Sequence, residues 1–473
     1  MPEKYHIKTT PVPPRLPRIG KYGIVDWRED CARCHNCVKK ACVYDRHRQE
    51  SNYIRTLKYS NFLFFECMGC FYCVQNCTKE LLYLTVNSEY ELLGNHYWTP
   101  EIIQTTWQQA ETASVPVSGA GYRGKFAGPG FDAMWTDMSE IVRPTRDGIH
   151  GREYISTSVD IGRKPAHLEF KDGKIVSETP EILDIPIPLI IDMNPPEFTL
   201  PRLEPFILEA VKITGIIAIM DSGKWQVLGN ETQRQNMDNY LPNIAFHLNP
   251  EAPEIPVEVL RKTRLVEIPD SKSSLDLRAA LREAVPGIVV SIRVPLDRKG
   301  VSRAVELVAQ GADVIHVVAD FNGNEINVKK PRFIKDMIRE IHTSLIKSGQ
   351  RDQVTLIAGG GMALPEHLAK ALLCGTDVVS TYLPLMIGLE CRLCSDCKPG
   401  LSCPAGLEAI GFDYGVGRMR NLIAAWYLQL IELMGAMGMR EARRLRGDVG
   451  RAMFFEEMEE EIFGTLFGTR KRA

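Results

Sequence analysis

The sequence predicts an α/β protein built on a (β/α)8 barrel of the TIM type, with a small α+β domain before it and a helical tail after it. Three observations lead to this prediction. Short apolar runs alternate with helical segments between residues 184 and 406, cysteines cluster before these runs and directly after the last of them, and an apolar helical pattern follows. An open, doubly wound sheet is the alternative arrangement for the same alternation.

Composition limits the possible functions. The chain has 473 residues and a formal net charge of −2, which excludes a strongly basic nucleic-acid-binding protein. The longest apolar stretch, 422–439, contains Gln429 and Glu432 and predicts a buried helix rather than a membrane span. Residues 1–20 are polar and proline-rich, without the apolar core of a secretory signal, so we expect a cytoplasmic protein with reduced thiols.

Eight of the 13 cysteines form two consecutive runs near the N-terminus. Each run has three cysteines separated by two residues and a fourth a few residues later, which is the ligand spacing of a ferredoxin with two [4Fe-4S] clusters. In that pattern the fourth cysteine of each run binds the other cluster. The predicted ligand sets are Cys31, Cys34, Cys37 and Cys77 for one cluster, and Cys67, Cys70, Cys73 and Cys42 for the other. Paired zinc sites are the alternative, although these usually use two CxxC pairs rather than triplets.

A third cysteine run follows the last apolar run and ends in a Cys-Pro pair. It predicts one further cluster, [4Fe-4S] if four thiolates bind and [3Fe-4S] if three do. Its members are Cys391, Cys394, Cys397 and Cys403. Reduced structural thiols are the alternative. The remaining cysteine, Cys374, stands alone in an apolar stretch and is expected to be a buried small side chain.

Eight apolar runs, most of them rich in β-branched residues, are the predicted barrel strands. They are Ile187–Met193, Gly215–Asp221, Ile244–Leu248, Arg264–Ile268, Ile288–Val294, Asp313–Ala319, Val354–Ala358 and Asp377–Tyr382. Helices are expected between them: an apolar stripe over 304–308 ends at Gly311, and Pro365 begins a helix that ends near Gly375. Alternation of strand and helix implies parallel pairing, and eight units favour a closed barrel.

Three consecutive glycines, Gly359, Gly360 and Gly361, follow the seventh run and precede a helix. Glycine lets backbone N–H groups approach a phosphate, and barrels often bind phosphate in the loops after strands seven and eight. The triplet therefore predicts a phosphate site, with a simple turn as the alternative. His316, inside the sixth run, is expected to be a core residue more readily than a catalyst.

The order of these parts resembles the FMN-binding synthase domain of the glutamate synthase family, in a short form fused to a dicluster 4Fe-4S ferredoxin domain. The resemblance covers roughly residues 185–445 and is most specific over 377–406, where an apolar strand, a turn and cluster-type cysteines end in Cys-Pro-x-Gly. The segment GADVIHVVAD at 311–320 and the helical tail at 421–438 are also similar to the family.

The resemblance implies positions for the cofactors and the substrate. Cys391, Cys397 and Cys403 stand where the family's three cluster ligands are expected, and Cys394 is additional. Arg293 replaces the family's lysine on strand five and is the candidate catalytic residue, expected to hold a substrate carboxylate. The implied FMN-binding residues follow strands one and seven or lie on strand eight. They are Met193, Asn194, Gly359, Gly360, Gly361, Ser380 and Thr381.

Several loops depart from the family pattern. Met193 is followed by Asn194-Pro195-Pro196 instead of the family's Ser-Phe-Gly, and the glycine-rich turn after strand two is reduced to 221–223. The substrate loop after strand six is reduced to 321–324. These departures keep three functions open.

The first function implied by the resemblance is an FMN-dependent iron–sulfur oxidoreductase that forms glutamate from 2-oxoglutarate and the nitrogen of ammonia or glutamine. Its expected partners are a ferredoxin or flavoprotein electron donor and a separate glutaminase subunit, because Pro2 rather than a nucleophilic cysteine follows Met1. The alternative is an electron-transfer subunit of a hetero-oligomeric anaerobic redox complex, with altered or no glutamate synthase activity. A flavin-free scaffold between clusters is a third possibility.

The sequence divides into five predicted parts. Residues 1–22 are a proline-rich extension, 23–90 the dicluster ferredoxin-like domain, and 91–183 a linker with a polar segment rich in glycine and arginine. Residues 184–406 are the FMN-binding barrel with the third cluster at its end, and 407–473 are the helical tail.

Overall fold

The structure is a computed structural model, and part of the chain is described in it. The described residues are 5–17, 19–26, 32, 34, 36, 70–115, 126–136, 154–165, 167–177, 182–194, 203–227, 237–250, 254–394 and 403–468. By backbone contacts the chain forms two compact units. The first comprises Met1–Val12, Gln108–Leu389 and Leu407–Ala473, and the second comprises Pro13–Trp107 and Glu390–Gly406. The third cysteine run thus belongs to the same unit as the N-terminal runs, whereas the five functional parts named above stay a prediction.

Eight parallel strands of the first unit close into a barrel. They are β1 Leu189–Asp192, β2 Ile217–Asp221, β3 Ile244–His247, β4 Leu265–Pro269, β5 Val289–Pro295, β6 Val314–Val318, β7 Thr355–Gly359 and β8 Val378–Thr381. Neighbouring strands pair in chain order, and β8 closes the barrel by pairing with β1 in the register Val379 to Leu189. Each strand overlaps one predicted run, so the (β/α)8 prediction is confirmed and the doubly wound alternative is wrong.

Helices follow the strands around the barrel. They are Glu204–Thr214, Ser222–Val227, Val257–Leu260, Ser274–Ala284, Gly300–Ala309, Ile334–Lys347, Pro365–Cys374 and Leu383–Gly388. The predicted helix over 365–375 is confirmed: proline stands in its first turn, and Gly375 ends it with φ 118°. A Cβ atom at Gly375 would lie 2.3 Å from Cγ of His342, so both the backbone conformation and the close packing require glycine there.

The helical tail packs within the first unit. Its long helix, Phe412–Ala436, buries Asn421, whose Nδ2 donates to the carbonyl of Ala110 at 3.1 Å. A second helix, Phe455–Phe467, follows the strand Ala452–Phe454, which pairs antiparallel with Met134–Thr136. Other short elements of this unit are Gly130–Ala133, Leu241–Asn243, Leu407–Ala409, Ala442–Leu445 and Val449–Arg451 in 3-10 conformation, and the ladders Val159–Ile161 with Leu183–Ile185 and Phe170–Lys171 with Lys174–Ile175.

The second unit has α+β content in its described residues. The strands Tyr22–Asp26 and Leu82–Val86 pair antiparallel, with Tyr22 opposite Val86. The short helices Tyr72–Gln75 and Ser88–Glu91 lie on either side of the second strand in the chain. The helix Pro100–Thr112 begins in this unit and ends in the first. Within the described ranges, no helix combines the length and the hydropathy that a bilayer crossing requires.

Candidate active site at the carboxyl ends of the barrel strands

Charged side chains occupy the inside of the barrel, where branched apolar residues usually pack. Glu267 on β4 and His316 on β6 are both fully buried, and the side chain of Arg293 on β5 is only 14 % exposed. Burying such groups is costly unless each one is paired, so this arrangement is unusual for a purely structural core. The polar residues lie toward the ends of the strands where barrel active sites are found.

Arg293 lies between two carboxylates contributed by other strands. Its Nη2 is 2.8 Å from Oδ2 of Asp192 on β1, and its Nη1 is 3.1 Å from Oε1 of Glu267. The same guanidinium donates to the carbonyl of Asn194 at 3.2 Å. Burial opposes the charged form of Arg293, but the charges of Asp192 and Glu267 raise its pKa above the ordinary value. Because two acids already neutralise it, Arg293 is better placed to orient them than to bind a further carboxylate alone.

Glu267 also binds two histidines. Its Oε1 is 2.9 Å from Nδ1 of His247 on β3, and its Oε2 is 2.5 Å from Nδ1 of His316. Burial alone would raise the pKa of Glu267, but the charges of His316 and Arg293 and the hydrogen bonds from both histidines hold it well below the usual value. A carboxylate only accepts hydrogen bonds, so Nδ1 carries the proton in each imidazole.

Ser380 on β8 completes this chain of contacts. Nε2 of His316 is 2.7 Å from Oγ of Ser380, so the ring and the hydroxyl share a hydrogen bond. Gly359 on β7 makes this contact possible. A Cβ atom there would lie 2.3 Å from Oγ of Ser380 and 3.3 Å from Nε2 of His316, so any side chain would displace the serine.

The other two glycines lie where the loops after β6 and β7 meet. Gly360 has φ 106° and Gly361 has φ 68°, a region that favours glycine. A Cβ atom on Gly360 would meet the carbonyl oxygen of Asp320 at 2.5 Å, and the N–H of Gly361 donates to the carbonyl of Phe321 at 3.3 Å. Loop packing therefore explains the glycines without a ligand. No described residue accepts a hydrogen bond from the N–H of Gly360.

The residues after β1 were predicted to bind the cofactor. Met193 is buried, and the Oδ1 of Asn194 accepts from the N–H of Asp221 at 2.9 Å. The Nδ2 of Asn194 is buried and has no partner among the described residues. Thr381, the remaining cofactor candidate, donates through Oγ1 to the carbonyl of Met362 at 3.2 Å. Two donors at the same end of the barrel, on Asn194 and Gly360, thus have no acceptor among the residues that the structure describes.

Part of the predicted cluster ligands can be placed, all in the second unit. Oγ1 of Thr78, the neighbour of Cys77, lies 3.7 Å from Sγ of Cys34. The N–H of Leu81 donates to Sγ of Cys77 at 3.3 Å. Cys70 lies two residues before the helix Tyr72–Gln75, and Cys73 is the second residue of that helix. The candidates Cys31, Cys37, Cys42, Cys67 and Cys397 lie outside the described residues. Cys374 is buried, as predicted.

The segment of the third cysteine run is fixed at both of its ends. Arg15 donates through its backbone N–H to Oε1 of Glu390 at 2.8 Å and through Nη2 to the carbonyl of Ala405 at 2.7 Å. Glu390 directly precedes Cys391 in the chain. The N–H of Leu393 donates to Sγ of Cys391 at 3.4 Å. Cys394 and Cys403 are half-buried.

Sequence reasoning identified Arg293, Ser380 and Gly359 but missed three members of this network, namely Asp192, His247 and Glu267. A signal was available. Each is a titratable residue inside or at the carboxyl end of a predicted apolar strand, and such residues lie together at one end of a parallel barrel. His316 was expected to be a core residue more readily than a catalyst; the structure buries it and links it to both Glu267 and Ser380.

Comparison with known proteins supports the synthase region. Residues 278–440 match the family model described as the conserved region in glutamate synthase. The archaeal-type glutamate synthase [NADPH] of Dehalococcoides mccartyi is 24 % identical over 90 % of this chain and 93 % of its own length. The archaeal glutamate synthase [NADPH] of Archaeoglobus fulgidus is 24 % identical over 93 % of this chain and 96 % of its own length.

Solved structures give a weaker likeness. A mandelate oxidase variant with a monooxide FMN adduct covers 70 % of this chain and 92 % of its own, with 14 % identity and a TM-score of 0.41. The resemblance to the glutamate synthase family is therefore confirmed over residues 278–440 by the family model, whereas the ferredoxin fusion stays a prediction.

Proposed function

We propose that this chain is an FMN-dependent iron–sulfur oxidoreductase that forms glutamate reductively from 2-oxoglutarate and the nitrogen of ammonia or glutamine. One observation carries the proposal: a buried set of charged residues from five strands lies at the carboxyl ends of a barrel whose residues 278–440 match the glutamate synthase model. The relatives named archaeal-type glutamate synthase [NADPH] align over nearly their whole length. The proposed reaction follows from the names of these relatives, and the proposed electron route follows from the spacing of the cysteines.

The residues at this end of the barrel fit the phosphate group and the polar ring system of FMN. The N–H of Gly360 and the Nδ2 of Asn194 are donors without a described acceptor, and FMN offers phosphate and ring carbonyl acceptors. Gly360 and Asn194 would therefore hold it. Bound FMN would supply storage of two electrons and delivery of a hydride, which converts one-electron supply into two-electron chemistry.

The protein's own charges suit an acidic substrate with a reacting nitrogen. Arg293 bridges Asp192 and Glu267, and its charge is one of the causes that hold the pKa of the buried Glu267 well below the usual value. An ionised carboxylate would stabilise positive charge on a substrate imine or amine nitrogen. Arg293 then acts mainly as a positioning residue, which modifies the role implied by the family resemblance.

The cysteine runs would supply the electrons. The proximity of Cys34 to Thr78 supports the crosswise pattern in which Cys77 shares a cluster with the first run. N–H groups directed at Sγ of Cys77 and Cys391 are typical of cluster ligands, whose potential they tune. We propose that a ferredoxin or flavoprotein reduces these clusters and that a separate protein or free ammonia supplies nitrogen.

Anaerobic purification followed by a count of released flavin and of iron per chain tests the cofactors. We expect one FMN and iron for three clusters. Iron without flavin would overturn the FMN site and favour a scaffold between clusters. Glutamate formation from 2-oxoglutarate, with ammonia or glutamine and viologen reduced by dithionite, tests the reaction. A protein with both cofactors that forms no glutamate would be the electron-transfer subunit instead.

A further inference from the structure

We propose that His247 is the acid–base residue of this site and that Glu267 positions it. The inference rests on the proposed function and names the group that gives the nitrogen its proton. No sequence motif marks His247, and its place in the fold is what suggests the role. It is the last residue of β3, at the carboxyl end of the barrel strands.

The two ring nitrogens of His247 have different surroundings. Nδ1 is 2.9 Å from Oε1 of Glu267, and because that carboxylate only accepts, Nδ1 carries a proton. Nε2 has no hydrogen-bond partner among the described residues, and the side chain is 15 % exposed. An imidazole held by a carboxylate at one nitrogen and open at the other has the arrangement of a general acid or base.

Glu267 is well suited to hold the ring. It is fully buried, and its other contacts, to Arg293 and His316, keep it ionised and fixed. An ionised carboxylate beside the imidazole stabilises the protonated ring that a general acid needs. His316 itself is not available for this role, because it is fully buried and both of its ring nitrogens are engaged.

The other charged groups near His247 leave its Nε2 open. On the neighbouring strand β2, Asp221 pairs in register with His247. Its carboxylate accepts from the N–H of Gly223 at 2.7 Å and from Nδ2 of Asn249 at 3.4 Å. On the other side, β4 contributes Glu267, and Arg293 on β5 lies beyond it. The charged groups that face the ring are thus two carboxylates and one guanidinium, and none of them contacts Nε2.

The proton step is simple to balance. Reduction of a substrate C=N bond adds a hydride, from the reduced flavin, to the carbon, and the π electron pair moves to the nitrogen. That nitrogen forms an N–H bond with the proton on Nε2 of His247, and the Nε2–H bond breaks. The substrate is reduced by two electrons, the flavin is oxidised by two, and the neutral imidazole regains its proton from water.

Replacement of His247 by asparagine separates this role from a structural one. The asparagine amide can still donate to Glu267 from near the position of Nδ1, but it has no counterpart of Nε2. We expect H247N to lower kcat for glutamate formation about 100-fold or more. The KM for 2-oxoglutarate should stay within about threefold of the wild-type value. We expect the wild-type kcat to fall at high pH, and this fall should be absent in H247N. Flavin content, iron content and the rate of flavin reduction by viologen should not change.

The exposed His167 provides the matched control, since H167N removes an imidazole whose side chain is 76 % exposed. A wild-type kcat or an unchanged pH profile in H247N would overturn the assignment. If the wild-type protein makes no glutamate, the proposed function fails, and modification by diethyl pyrocarbonate then decides the role of His247. Carbethoxylation of His247 at a rate that changes in E267Q supports an available Nε2 held by Glu267, and absence of modification or an equal rate in both proteins overturns it.

Discussion

The barrel carries buried charged networks at both of its ends, and the two differ in what they bind. At the carboxyl end, Arg293 and Glu267 contact mainly side chains from other strands. At the amino end, Arg351 and Asp377 contact each other and also the backbone: Arg351 donates to the carbonyls of Val354 and Gly375, and Asp377 accepts from the N–H of Leu356.

This difference shows which network serves the fold. Backbone contacts at the amino end fix the starts of β7 and β8 and the end of the helix Pro365–Cys374, so their loss should affect stability. The carboxyl-end network fixes side chains relative to each other and includes an imidazole nitrogen without a described partner. In barrels, residues at the carboxyl end belong to the reaction and those at the amino end to stability.

The largest effect is expected for Arg293→Gln. The change leaves Asp192 and Glu267 without the cation between them, so the pKa of Glu267 rises and the two carboxylates are no longer held in place. We expect kcat/KM for glutamate formation to fall about 1,000-fold, equivalent to about 4 kcal/mol. The assay is anaerobic turnover at a temperature where the variant retains its flavin and iron.

Arg293→Lys is the matched control, because it keeps the charge but loses the planar group that reaches both acids. Its activity should lie between those of wild type and Arg293→Gln. Turnover of Arg293→Gln within threefold of wild type would show that the carboxyl-end network is not part of the reaction.

The second effect is expected at the amino end, for Asp377→Asn. Burial alone would raise the pKa of Asp377, but the charges of Arg351 and Arg446 and the hydrogen bond from Leu356 lower it, so the residue is an ionised partner. Its loss leaves Arg351 buried without its carboxylate, and the free energy of unfolding should fall by about 3–5 kcal/mol. Urea unfolding at neutral pH measures this change.

Asp352→Asn is the control for this substitution. Asp352 also contacts Arg446, but its side chain is 90 % exposed, so the unfolding free energy should change by less than about 1 kcal/mol. Turnover per folded molecule should stay at the wild-type level in both variants. A large loss of kcat in Asp377→Asn, without loss of cofactors, would mean that the two ends are coupled.

The fold was predictable from the sequence because its signals are local. Each barrel strand is a short apolar run, and the helix over 365–375 is bounded by its own proline and glycine. Eight such units also predict the pairing of β8 with β1, because parallel strands joined by helices can close into a barrel in only a few ways.

The candidate site was only partly predictable because its signals are not local. Arg293 was found through the family resemblance, and Gly359 through a glycine triplet. Glu267 and His247 stand in runs that look like ordinary strands, and only the register of neighbouring strands brings their side chains to 2.9 Å. The close packing at Gly359 could not be predicted either, because a Cβ atom there would meet Ser380 and His316, which are 21 and 43 positions away in the chain; the phosphate site stays a prediction.

A smaller effect is expected for Gly359→Ala, which adds a methyl group 2.3 Å from Oγ of Ser380. Overpacking of this size should cost about 1–3 kcal/mol and should break the contact between Ser380 and His316. Ser380→Ala alone removes one hydrogen bond and should cost about 1 kcal/mol. The double variant lacks the clashing oxygen, so its loss in urea unfolding should be smaller than the sum of the single losses. Additive losses would show that the methyl group clashes elsewhere.

The smallest effect is on the pH dependence of stability, and it again distinguishes the two ends of the barrel. Burial and the charges of Arg351 and Arg446 lower the pKa of His342 to about 4. The folded imidazole, which accepts from Nε of Arg351 at 3.0 Å, therefore stays neutral where the unfolded chain binds a proton near pH 6.5. Since the unfolded state binds more protons between these values, His342 makes the folded state less stable as the pH falls from about 6.5 toward 4.

His342→Asn keeps an acceptor for Arg351 but does not titrate, so its urea midpoint should fall less than that of wild type between pH 7 and pH 5. The exposed His6 is the control, and His6→Asn should follow wild type. An equal change of the urea midpoint with pH in all three proteins would contradict the assignment. A smaller change in His342→Asn alone, with an unchanged pH profile of kcat, would show that protonation at the amino end affects stability and protonation at the carboxyl end affects the reaction.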